Sequence, residues 1–104
     1  MANITPTQMQ VLLVMLENNL ELMFDFMDAD SKAAKELELE QYIRSAAEYI
    51  EVEGITLDLD KINDQMLVVM YASWIYDKRK DGVAIMPRML RYNLNNRLFK
   101  QKVV

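Results

Sequence analysis

Three groups of residues in this chain have types and spacings that could do chemistry. The first is Asp28-Ala29-Asp30-Ser31, which looks like the start of a calcium loop. An EF-hand loop needs glycine at its sixth position and glutamate at its twelfth. Counted from Asp28 those positions hold Ala33 and Leu39, so both tests fail and the run reads as a helix cap with early negative charge. The second group is acidic: Glu36, Glu38, Glu40, Glu48, Glu51 and Glu53. Carboxylates on helices can hold a pair of metal ions, but such sites also use histidines on facing helices. The chain has no histidine and no second acidic helix to face this one, so Glu38, Glu40, Glu48, Glu51 and Glu53 read as an acidic face for solvent or a partner. The third group is basic. Lys78-Arg79-Lys80 is followed by Arg88, Arg91 and Arg97, which could meet a nucleic acid or the acidic surface of a protein.

Other reaction chemistry finds few residues to work with. Without histidine the commonest general base and neutral metal ligand are missing. Without cysteine there is no thiolate and no disulfide. No glycine-rich phosphate loop occurs. The nine methionines suit gap filling in cores and adaptable interfaces rather than metal binding. The expectation is a protein that is not an enzyme and carries no cofactor.

Charge is divided unevenly along the chain. Residues 1–60 hold 13 acidic and 3 basic groups, whereas residues 61–104 hold 3 acidic and 9 basic groups. A basic half can be a nucleic-acid arm. Two halves of opposite sign can also meet between copies, closing a ring if the rotation permits. Two features weigh against nucleic acid. The whole chain is acidic, with a net charge of −4, whereas nucleic-acid domains are usually basic. The arginines at 88, 91 and 97 are also interleaved with Met89, Leu90, Tyr92, Leu94 and Leu98, so their helix must pack on something apolar. An assembly module is the favoured reading, with a small nucleic-acid binder as the alternative.

The elements that carry these groups are legible from caps and periodicity. With 104 residues, the chain reads as one domain spanning 1–104. Only two glycines occur, which disfavours hairpins and favours helices. Thr5-Pro6-Thr7-Gln8 predicts a capped helix over about 6–18, with 20–27 docked on the core. A second helix starts at Asp28–Ser31, buries Leu39, Tyr42, Ile43, Ala46, Ala47 and Ile50, and stops at Gly54. A third spans about 61–79, capped by Asp60, with an inner row of Ile62, Met66, Val69, Met70 and Ser73. Its other rows are apolar too, so it is buried all round or covered by a partner. Met70, Tyr71, Trp74, Ile75 and Tyr76 are therefore candidate core or subunit contacts. Pro87 opens a fourth helix to about Phe99, and Lys100–Val104 reads as a loose tail. Residues 55–59 are a short strand or extended linker that could pair with 83–86. The all-α class follows, with about four helices. The N-terminus MANITPTQMQ lacks the features of a signal peptide. The apolar run Met66–Tyr76 is about half of what a bilayer requires. A soluble intracellular protein is expected, with no membrane contact.

The segments YASWIYDKRKDG and MPRMLRYNLNNRLF resemble the head–tail connector (adaptor) family of long-tailed bacteriophages, and LELEQYIRSAAEYIEVEGI is similar to the family's second helix. The likeness covers roughly residues 9–100. It implies a small all-helical, non-enzymatic structural protein of the virion neck, present in the host cytoplasm during assembly. Its partners would be other copies of itself in a ring, the portal protein above, and another neck or tail-completion protein below. DNA would pass through the ring without being specifically bound, and an acidic lining would keep it from sticking. Lys78, Arg79, Lys80, Arg88, Arg91 and Arg97 would then be protein contacts.

Overall fold

The computed structural model describes residues 3–20, 28–81 and 85–103, apart from the side chains of Lys80, Asp81 and Val103. Four helices account for most of them: α1 (Pro6–Leu20), α2 (Ala29–Val52), α3 (Ile62–Asp81) and α4 (Arg88–Val103). The all-α class is as expected, and the described residues contain no strand.

The first two helix starts have a local chemical cause. At α1 the Gln8 N–H donates to Thr5 Oγ1 (3.1 Å) and the Thr5 N–H donates to Gln8 Oε1 (3.0 Å). This reciprocal box satisfies two groups that a helix start leaves open. At α2 the Asp28 carboxylate accepts from the Ser31 N–H (2.7 Å), which holds its pKa below the ordinary aspartate value. Gly54 follows the α2 cap at φ +99°, a left-handed conformation that favours glycine.

The core forms where the apolar rows of the four helices meet. Leu12, Leu16, Leu39, Ile43, Ile50, Val68, Leu90 and Leu94 are its largest fully buried side chains. Each such burial contributes roughly 1.5–3 kcal/mol. α3 is the central helix, packed against each of the other three. Ser73, drawn into this core, is satisfied: its Oγ donates to Asn19 Oδ1 at 2.8 Å. The molecule measures 48 × 31 × 19 Å, so it is about two helices thick and helices keep an outer face.

Three expectations change, and one open choice is decided. The tail is helical: α4 continues through Lys100 and Lys102 to Val103, because Leu98 and Gln101 extend its inner row. Ile62 and Met66 are 59% and 50% exposed, so they are not the inner row of α3. One buried face holds Asp64, Leu67, Val68, Tyr71 and Ala72, and Val69 and Ser73 are buried on the other side of the helix. Asp60 does not cap α3, since its carboxylate accepts from Gln8 Nε2 of α1 at 3.0 Å. Residues 55–59 are a linker, with Ile55 and Leu59 buried, and form no strand. The expected turn at Gly82, part of the 83–86 segment and the docking of residues 21–27 lie outside the described residues.

Candidate functional site

The basic C-terminal residues divide into two sets with different roles. Arg97, nearly two turns from the end of α4, reaches into the core. Its Nε donates to Asp64 Oδ1 (2.7 Å) and its Nη2 to Asp64 Oδ2 (3.1 Å) and to the Thr56 carbonyl (2.6 Å). Asp64 is only 3% exposed and also accepts from the Asp58 N–H at 2.7 Å. Burial pushes the Asp64 carboxyl up, but the bonds from Arg97 and Asp58 outweigh it and hold the group below the ordinary aspartate value. Gln101 adds to the same seam: its Nε2 donates to the Gly54 carbonyl (2.8 Å) and its Oε1 accepts from the Thr56 N–H (2.6 Å). Together these bonds tie α4, the 54–60 linker and the start of α3 into one unit.

Arg91 is also engaged within the chain. Its two terminal nitrogens donate to the Glu53 carboxylate at 2.6 and 3.1 Å, a fork-to-fork pair at the end of α2. Two of the four arginines expected to be protein contacts thus have carboxylate partners in their own subunit. Lys78 lies over the Trp74 ring, 5.3 Å from its centroid, and Arg79 is exposed. Arg88, Lys100 and Lys102 are exposed and, among the described residues, form no ion pair. The side chain of Lys80 lies outside the described residues.

The candidate aromatic contacts form a seam between α2 and α3. Tyr71, 7% exposed, stacks on Tyr49 at 6.0 Å and meets the Trp74 ring edge-on at 5.6 Å. Trp74 is half-buried, and its indole N–H donates to the Ile85 carbonyl at 3.2 Å, anchoring the approach to α4. Tyr76 meets Tyr42 edge-on at 5.7 Å and accepts from Lys35 Nζ at 3.1 Å. Ile75 is half-buried against the core, and the half-buried Met70 faces α4, where its Sδ accepts from Asn93 Nδ2 at 3.5 Å.

The acidic residues do not share one face. Glu53 belongs to Arg91, and Glu38 lies 3.5 Å from Lys35. Glu51 is half-buried, Glu48 is exposed at the far end of α2, and Glu40 borders an open hollow between α1 and α2. A larger open groove of about 860 Å³ runs between α3 and α4, with Met66, Met70 and Phe99 as apolar walls and Lys61 and Lys100 at its rim. Among the described residues, no helix is long and apolar enough to cross a membrane.

Sequence reasoning missed Asp64 and Gln101. Asp64 sits 33 residues from its arginine and has no local signature. Gln101 could have been found, because it falls seven residues after Leu94 on the buried row. The exposed line Met89, Tyr92, Asn96 and Phe99 was also legible from its spacing. Comparison with family models, curated proteins and solved structures found no match for this chain.

Proposed function

We propose that this protein is a structural connector of a phage neck, a helical subunit that assembles in a ring below the portal and docks the next neck or tail component. The observation that carries the reading is the separation of charge onto different elements. α4 holds no acidic residue and keeps Arg88, Lys100 and Lys102 exposed beyond the internally paired Arg91 and Arg97, while the acidic groups concentrate before residue 61. A small subunit with opposite charge on its two halves suits repeated head-to-tail contact. The all-helical fold and the likeness of YASWIYDKRKDG and MPRMLRYNLNNRLF to connector proteins support the same reading.

The alternative, nucleic-acid binding by the basic helix, draws support from the exposed Arg88, Lys100 and Lys102. It is weakened by the engagement of Arg91 and Arg97 with Glu53 and Asp64. Deleting the gene from its virus distinguishes the two. The connector reading expects DNA-filled heads and free tails that fail to join. Intact infectious virions from the deletion would contradict it.

A further inference from the structure

We propose that the outer face of α4 docks onto the acidic α1–α2 side of a second copy of this chain, joining copies head to tail. The inference rests on the assembly reading above and assigns its two surfaces. α4 has two apolar faces. Leu90 and Leu94, each 1% exposed, point into the core. On the opposite side Met89, Tyr92 and Phe99 are 63%, 63% and 69% exposed, and Asn96 is exposed between them. Positions 89, 92, 96 and 99 follow the three–four spacing that draws a straight seam along a helix. The line is about 15 Å long. Single exposed apolar residues are ordinary, but three large ones in a row form a surface.

Charge selects the occupant. Arg88, Lys100 and Lys102 flank the line, and α4 carries no acidic residue to offset them. Two α4 stripes facing each other would set these cations against one another, so a symmetric contact is disfavoured. An acidic surface with its own apolar content is required, and the chain has one. The hollow between α1 and α2, about 300 Å³, is floored by Met9 and Leu13 and bordered by Glu36 and Glu40, with Arg44 as its one cation. Leu37, between those glutamates in sequence, is 59% exposed. Nearby Glu17 is held above the ordinary glutamate value by partial burial and by Glu36, an effect Lys32 only partly offsets. Glu17, Glu36 and Glu40 outnumber the cations beside them, Lys32 and Arg44. The stripe belongs to a helix packed on α3, while the hollow belongs to α1 and α2, so the two surfaces are distinct. Different surfaces that complement each other make a heterologous contact, which repeats from copy to copy.

Sedimentation velocity with two charge-reversed chains tests the pairing. One carries Arg88→Glu, Lys100→Glu and Lys102→Glu; the other carries Glu36→Lys and Glu40→Lys. None of these side chains forms an ion pair among the described residues, and matching thermal midpoints verify the fold. Wild type is expected to self-associate with rising concentration. Each variant alone should associate roughly tenfold more weakly or worse. An equimolar mixture should recover association, because the reversed stripe then meets the reversed hollow. Tyr92→Ser with Phe99→Ser should weaken association without changing charge. Wild-type association untouched by either reversal would overturn these surfaces while leaving the assembly reading standing. Loss in both variants without recovery in the mixture would overturn the pairing. A wild type that stays monomeric to millimolar concentration would overturn the second copy as occupant, and the deletion phenotype would still decide the connector reading. Binding to anionic vesicles or duplex DNA that the stripe reversal abolishes, with self-association unchanged, would also overturn it.

Discussion

The Asp64–Arg97 pair joins parts of the chain that lie far apart in sequence. It orients α3, pins the 54–60 linker and holds the last turns of α4. Removing one member leaves the other charge buried without its partner, which costs about 3 kcal/mol. Asp64→Ala and Arg97→Ala should each lower stability by that order in urea unfolding. A loss below about 1 kcal/mol in both would show the pair to be dispensable. The pair also sets a pH dependence. The folded pKa of Asp64 lies below its unfolded value, so its contribution is fully present above about pH 4. It is lost as pH falls through the lower folded value. Asp64→Asn should therefore flatten the acid limb of the stability profile, while an unchanged limb would place the acid sensitivity elsewhere. Gly54→Ala should cost roughly 1–3 kcal/mol, because the φ of +99° strains any side chain, although a Cβ there would meet Leu98 at an ordinary 3.6 Å.

At the scale of elements, α4 holds the contrast between fold and function. Leu94 lies on its buried face and Phe99 on its exposed one. Leu94→Ala should cost roughly 2–5 kcal/mol of stability. Phe99→Ser should cost under about 0.5 kcal/mol, as surface changes do, and act on association instead. Equal stability losses would mean that both faces are packed. Trp74→Ala should cost about 2 kcal/mol, less than the roughly 3–5 of a fully buried aromatic, since the indole is half-buried. Three helix starts were legible because they are written locally: Thr5 with Gln8, Asp28 with Ser31, and Pro87. α3 was legible from its apolar run alone, since Asp60 does not cap it. The inner row of α3 was not. All its rows are apolar, so periodicity carries no preference, and the choice falls to Asp64 and an arginine on another helix. The tail was misread because it looks polar, although Leu98 and Gln101 continue the row begun by Leu90. The basic cluster was legible as charge, but not its division, because the partners of Arg91 and Arg97 are 38 and 33 residues away.

For the whole molecule, the question is what its opposite-signed halves meet. The proposed answer is other copies and neck proteins, with duplex DNA passing by. Retardation of duplex DNA should accordingly be negligible near 0.15 M salt, where charges are screened beyond about 8 Å and the acidic half repels the polyanion. Micromolar binding at that salt, lost on charge reversal of Arg88, Lys100 and Lys102, would favour the nucleic-acid reading. The connector account places this chain in a phage neck, and the most direct measurement is electron cryomicroscopy of that neck. The connector account predicts a ring between portal and tail into which this four-helix subunit fits, with adjacent copies in contact. A neck resolved at side-chain level whose every ring is built from other chains would contradict it.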